Sequence, residues 1–272
     1  MYILRDPLAF IIRPIYDLIG NYGITLIVVT ILVRLLTLPL TIKSQKNMSK
    51  TQLIQPQMAK LQNKYKNDRD TLAREMQKLY KQYDVNPLGG CLPLLLQMFV
   101  LFGFIGVIYN PLQCILQLDK DQLSELAKLA GAKRGMQDVN FCANPAVAEQ
   151  IRNWDITPIN FNLFGIDLSK IPSGKELTQW IFPALAFLAT VASSLITKRQ
   201  TSQNAANQQG AAMGNFMIWL MPAMTLMFIF SMPIAMSLYW FVSTVLQLVQ
   251  QTVINGVIKN KIQAEMELKG KK

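Results

Sequence analysis

Twenty consecutive residues, GITLIVVTILVRLLTLPLTI at 23 to 42, carry a single charge, and it is Arg34. A bilayer core takes up about 20 mostly apolar helical residues, so a run of this length and polarity constrains the chain before anything else does. Four more runs have the same character, at 91–109, 180–197, 214–232 and 234–258. The last two are nearly continuous and break at Ser231-Met232-Pro233, which reads as a tight turn between antiparallel helices. Only 16% of the 272 residues are charged, against roughly 25% in an ordinary soluble domain.

The expected fold is therefore all-α: a polytopic membrane protein with five transmembrane helices around a hydrophilic groove, and a cytoplasmic helical hairpin. The expected order starts with an interfacial amphipathic helix at 1–20 and a first span at 21–42. The hairpin at 43–90 and the second span at 91–109 follow. An extracytoplasmic loop at 110–179 leads to the third span at 180–197. A loop at 198–213 precedes the fourth span at 214–232, the fifth at 233–258 and a basic tail at 259–272. The first 20 residues carry Arg5, Asp6, Arg13 and Asp17 among apolar ones, which suits a helix lying in the interface better than a signal sequence.

Basic residues set orientation. The 43–90 segment holds 10 Lys/Arg against 4 Asp/Glu, and the tail holds 5 against 2. The 198–213 loop has Lys198 and Arg199 and no acid, whereas 110–179 has 7 basic and 8 acidic residues. This asymmetry predicts a multi-pass membrane protein with its N-terminus outside and its C-terminus in the cytoplasm. The same basic surface either only sets topology or also meets anionic lipid or ribosomal RNA.

Within the hairpin, Ile54, Met58 and Leu61 recur with Tyr65 at helical spacing, and Leu72, Met76 and Leu79 repeat the pattern with Tyr80 and Tyr83. Asn67, Asp68 and Asp70 mark the turn between two helices, the first of them expected to kink at Pro56, and VNPLGG at 85–90 turns the chain into the second span. The stripes either pack on each other or leave one face for a partner. In the outer loop, DQLSELAKLAGA at 121–132 reads as a helix closed near Gly131, and the remainder reads as loop. Cys91 opens the second span and is expected only to pack. Cys114 and Cys142 share the outer loop, where the compartment permits a disulfide.

The chain has no histidine and three scattered cysteines, so His-based acid–base chemistry, His metal sites and zinc patterns are excluded. No phosphate-cradling glycine loop is present, and no apolar run holds an Asp or Glu. No catalytic residue, metal, cofactor or DNA partner is expected, and the reading is of a protein that is not an enzyme.

Arg34 lies 11 residues from Gly23 and 8 from Ile42, about 16 and 12 Å from the two ends of the run. A central arginine costs upwards of about 2.5 kcal/mol, so water or backbone carbonyls must reach it. Thr30, Arg34, Thr37 and Thr41 share one helix face. Gln97 in the second run, Thr190, Ser193 and Ser194 in the third, and Ser243, Thr244, Gln247, Gln250, Gln251 and Asn255 in the fifth add further polar faces. Together they predict a hydrated, positively charged cavity; a clamp of Arg34 on neighbouring carbonyls is the alternative. Met213, Met217, Met221, Met224, Met227, Met232 and Met236 cluster around the fourth run. They either fill core and face lipid or form a surface that repacks around varied apolar partners.

The motifs ITLIVVTILVRLLTLPLTIKSQKNM, QPQMAKLQNKYKND, NPLGGCLPLLLQM and MPIAMSLYWFVSTVLQLVQQ resemble, in order and spacing, the YidC/Oxa/Alb family of membrane protein insertases. The resemblance covers most of the chain. It implies insertion of nascent membrane proteins into the lipid bilayer, alone or beside the Sec translocon, with the ribosome as a further partner. It maps the groove arginine to Arg34, the groove glutamine to Gln97 and the last-span tryptophan to Trp240, and gives the hairpin the role of receiving substrates. Two departures stand out. Ser193 and Ser194 occupy the third span where the family often has glutamine, and the outer loop is longer than in Gram-positive relatives. A channel or transporter, predicting solute flux, and an assembly factor that binds folded partners without inserting them are the competing classes.

Overall fold

The computed structural model describes residues 2–86, 92–131, 138–173, 176–202, 219–220, 222–228 and 230–270. Ten helices carry most of the described chain: α1 (Tyr2–Ile19), α2 (Tyr22–Lys64), α3 (Arg69–Tyr83), α4 (Leu92–Tyr109), α5 (Pro111–Ile115), α6 (Lys120–Leu129), α7 (Val139–Cys142), α8 (Pro145–Asn153), α9 (Ile181–Ser202) and α10 (Ile234–Gly270). Among the described residues the fold is helical apart from one hairpin of two-residue strands, β1 (Asn162–Leu163) and β2 (Ile166–Asp167), and a 3-10 helix at Leu177–Trp180 leads into α9. Residues 222–228 are also helical. VNPLGG from Pro87 on, Cys91, and Met213, Met217 and Met221 lie outside the described residues, as does much of the expected fourth span.

The first span and the first arm of the hairpin are one helix. α2 runs unbroken through Pro39 and Pro56 for 43 residues, so the sequence expectation of a kink at Pro56 does not appear as a break. Its start is fixed by Asn21, whose Oδ1 accepts the Ile24 N–H at 3.1 Å while its Nδ2 donates to the Asn162 carbonyl at 2.8 Å. Among the described residues, α2 and the helix ending in α9 are long and apolar enough to cross a bilayer, and Leu95–Tyr109 is a shorter apolar helix.

The chain divides into two compact units. The first comprises 1–35, 97–189 and 224–244. Its core gathers Ile12 from α1, Tyr22, Leu26 and Val29 from α2, Phe104 and Ile108 from α4, Leu112 from α5, Leu126 from α6 and Ile151 from α8, with Ile234 and Tyr239 from α10. In 110–173, α6 matches the helix expected at 121–132, whereas the remaining described residues, expected as loop, add three short helices and the hairpin; apolar side chains from these pieces join the core of the helices around them.

Local capping makes such short pieces possible. Asp119 closes a capping box on α6 with Gln122, and Asn144 caps α8 with Pro145 at its first position. The strands turn through Phe164 and Gly165, both at positive φ (52° and 81°), the backbone of a two-residue hairpin turn. The hairpin packs against Gly23 so closely that an added Cβ would come within 2.7 Å of Leu163. The backbone N–H groups of Ile234 and Ala235 at the start of α10 donate to the carbonyls of Lys170 and Leu168, both at 2.9 Å.

The second unit comprises 36–96, 190–223 and 245–272 and contains the helical hairpin. Asp68 caps α3 by accepting the Thr71 N–H at 3.0 Å, and these hydrogen bonds hold its carboxyl below the usual range. Asp84 ends α3 in the left-handed conformation. Ile54, Leu79, Tyr83 and Val85 form a small core, with Met58, Leu61 and Tyr80 packed on it. Asn47 and Asn86 exchange two hydrogen bonds, at 2.7 and 3.0 Å, that pin the far end of the hairpin to α2.

Candidate functional site

Arg34 is half-buried and points at the last helix. Its Nη2 donates to the Ser243 carbonyl at 3.1 Å and to Ser243 Oγ at 2.5 Å. Ser243 lies one turn beyond Tyr239 on α10, so both face the same way. Tyr239 is almost fully buried and stacks on Phe104 of α4, with ring centroids 4.2 Å apart. Its hydroxyl lies within electrostatic reach of Arg34, Ser243 and Gln97. Arg34 and Ser243, with Tyr239 and Gln97 beside them, thus draw α2, α4 and α10 of the first unit together around one cation. Polar hydroxyl, amide and carbonyl groups surround it, and no apolar run supplies a carboxylate.

The threonines do less than their spacing implied. Thr30 is buried and donates to the Leu26 carbonyl at 2.6 Å, and Thr41 donates to the Thr37 carbonyl at 3.0 Å. Each satisfies its own helix four residues back, so their hydroxyl protons are already committed. Trp240 lies one residue past Tyr239, half-buried, in tilted contact with Phe228 at 6.2 Å. Ala186, Thr225, Met232 and Met236 line a small pocket with these two rings, which places two of the clustered methionines beside Trp240.

The remaining groove residues belong to the second unit: Thr37 and Ser193 are half-buried and Gln247 is exposed. The structure therefore brings together Arg34 and Gln97 and sets Thr30 and Trp240 in the same unit. Ser243 and Tyr239 are the neighbours of Arg34 that the sequence does not single out. Ser243 was visible as part of a polar face, but nothing in the sequence distinguished it from Thr244 or Gln247. Tyr239 read as one more aromatic of an apolar helix.

In the hairpin, Ile54, Met58, Leu61 and Leu79 pack on each other, whereas Leu72 and Met76 are half-buried outside that core. Cys114 and Cys142 are both free thiols, so the cross-link left open by the sequence is not formed. Cys142 Sγ donates to the Asp138 carbonyl at 3.1 Å. Burial pushes the Cys114 thiol up to about 12 and raises Cys142 as well. Both stay protonated, which suppresses thiol exchange.

The chain matches, over residues 14–261, the family model described as 60Kd inner membrane protein. It is 31% identical over 271 residues to the membrane protein insertase MisCA of Bacillus subtilis, covering 98% of this chain and 83% of that one. The membrane protein insertase YidC of Prosthecochloris aestuarii is 32% identical over 93% of this chain and 37% of its own length. That of Fusobacterium nucleatum is 42% identical over 39% of this chain and 52% of its own. The chain spans about half the length, or less, of several of the curated relatives it matches. A family match over most of the chain and a relative aligned along nearly all of it agree with the motifs around Arg34, Gln97 and Trp240: the chain belongs to the 60Kd inner membrane protein family, in which the YidC and Oxa insertases fall.

Proposed function

We propose that this protein inserts nascent membrane proteins into the lipid bilayer of the bacterial plasma membrane, without covalent chemistry. In this reading five spans surround a groove open to the cytoplasm, with Arg34 as its charge. The observation that carries it is the half-buried Arg34, set amid hydroxyl, amide and carbonyl groups in a run without any carboxylate. Such a cation attracts a carboxylate on a passing hydrophilic tail, and reduced dielectric strengthens the attraction. The attached apolar segment then enters lipid and gains hydrophobic free energy. The names of the relatives support the activity, and the basic hairpin supports contact with the ribosome; the Sec translocon enters as a partner through the family resemblance.

The test is insertion in vitro. Purified protein is placed in liposomes, a single-span protein with an acidic tail is synthesised beside them, and protease protection scores the tail. Protection requires the protein and falls with Arg34→Ala. Absence of protection with the wild type favours the channel or assembly-factor classes and overturns the insertase reading.

The two hydrogen bonds to Ser243 favour a second role for the same residue, a clamp that ties α2 to α10. Under that role Arg34→Ala lowers stability and leaves insertion per folded molecule unchanged.

A further inference from the structure

A cavity of about 570 Å³ lies on the first unit, away from Arg34, between α1 and α5. Four of its lining residues are charged, and they balance: Arg5 and Arg13 against Asp6 and Asp17, with the amides of Gln113 and Gln117 opposite. We propose that this cavity binds the headgroup of a zwitterionic phospholipid carrying a primary ammonium, of the phosphatidylethanolamine type.

The proposal rests on reading α1 as a helix at the membrane interface. Leu8, Ile12 and Tyr16, one turn apart, bury one side of it. Phe10 and Leu18 on other sides are 84% and 87% exposed. Phe10 is itself part of the cavity lining, so an acyl chain and a headgroup would meet α1 at one place.

One end of the cavity is built and the other is adaptable. Arg5 is only 12% exposed: its Nη1 donates to Gln113 Oε1 at 2.6 Å and its Nη2 lies 2.9 Å from Asp6. Its stem occupies the space left by Gly106 of α4, where an added Cβ would come within 2.8 Å of the Arg5 Cβ. Arg13 and Asp17, one turn apart on α1, are 45% and 63% exposed, and their charges lie 4.0 Å apart. An exposed pair at that distance is held weakly and exchanges partners at little cost. Phosphate on Arg13 and ammonium on Asp17 satisfy both. A net anion meets as many carboxylates as guanidiniums and gains little, which separates a zwitterion from phosphatidylglycerol or free phosphate. Gln117, with φ of 56°, also lines the cavity, in a backbone conformation that side-chain-bearing residues rarely adopt.

The experiment uses the full chain in nanodiscs. Retained lipid is counted by mass spectrometry after exchange into equimolar phosphatidylethanolamine and phosphatidylglycerol, and inorganic phosphate and phosphoethanolamine serve as soluble competitors. The wild type should enrich phosphatidylethanolamine on the order of fivefold, and Arg13→Gln and Asp17→Asn should each abolish the enrichment, as expected for loss of one charge partner. Gly106→Ala, which displaces Arg5, should weaken it while leaving Arg13 and Asp17 in place. Equal retention of both lipids, or enrichment that survives both charge variants, overturns the proposal, as does competition by phosphate alone. A Phe10→Trp variant in brominated lipid, made in a background with Trp154, Trp180, Trp219 and Trp240 replaced by phenylalanine, separates the two failures. Quenching without headgroup selectivity overturns the lipid site and leaves the membrane reading intact, and absence of quenching overturns both.

Discussion

At the scale of the residue, two charges withdrawn from solvent, Arg34 in part and Asp138 almost wholly, ask for opposite treatment. Arg34 was legible from the sequence, because one cation in an apolar run needs a reason; its partner Ser243 was not, because any of several hydroxyls and amides on α10 had suitable spacing. The conservative variant separates its two roles. Arg34→Lys keeps the charge and loses the planar fork that reaches the carbonyl and the hydroxyl of Ser243 together. If charge is what the groove uses, Arg34→Lys retains most insertion of acidic-tailed substrates and Arg34→Ala does not. Protease protection reads this, and lowered thermal stability in both variants with unchanged protection per folded molecule assigns Arg34 to the clamp. Asp138 is the second case. Burial pushes its carboxyl up to about 7, although Oδ2 accepts the Gln113 N–H at 3.0 Å; Oδ1 is buried without a hydrogen-bond partner. A carboxyl raised in the folded state binds its proton more tightly there than when unfolded. It therefore costs nothing below the unfolded value near 4, and destabilises progressively as pH rises from about 4 to about 7. Thermal unfolding of the wild type should thus fall across that window, and Asp138→Asn should flatten the fall. An unchanged slope in the variant would show that the carboxyl is already paired or hydrated.

At the scale of the element, the hairpin and the outer segment teach opposite lessons. The hairpin's two apolar stripes were visible because long helices repeat their period often enough to be read. What periodicity did not decide was which stripe residues pair. Ile54, Leu79 and Tyr83 close the small core, and Leu72 and Met76 stay outside it. Their variants should therefore divide. Ile54→Ala opens a fully buried site and should destabilise the hairpin by about 2–4 kcal/mol, read as early proteolysis within 43–86. Leu72→Ser with Met76→Ser should leave that proteolysis unchanged while reducing crosslinking to a nascent chain. Unchanged crosslinking would mean that the half-buried face receives nothing. The 110–173 segment was legible only at 121–132, for a physical reason. Its helices have 4 to 10 residues, too few turns for a period to show, and they exist because caps and burial against longer helices hold them. The hairpin turn at Phe164-Gly165 carries phenylalanine where asparagine or aspartate would have announced it.

At the scale of the whole molecule, the outward faces carry the argument for a bilayer. Leu35, Leu36 and Leu40 on α2, Leu185, Leu188 and Leu195 on α9, and Val245, Val249, Val253 and Val257 on α10 are all exposed. The valines recur every four residues, so they form one continuous apolar stripe. Exposed apolar surface of this extent needs cover, and helices whose buried share is low while their hydropathy is high find it in hydrocarbon. Chain composition announced this, but the side of the membrane on which each polar segment lies follows only from the distribution of Lys and Arg. In a background with Cys91, Cys114 and Cys142 replaced by serine, single cysteines at Lys66 in the hairpin turn and at Asp155 after α8 should report opposite sides. A membrane-impermeant maleimide applied to intact cells should label Asp155→Cys at once and Lys66→Cys only after permeabilisation. Labelling of both in intact cells, or the reverse order, would overturn the orientation. A groove open to the cytoplasm would lose its basis along with it, because the hairpin and Arg34 are expected to meet the substrate from the same side.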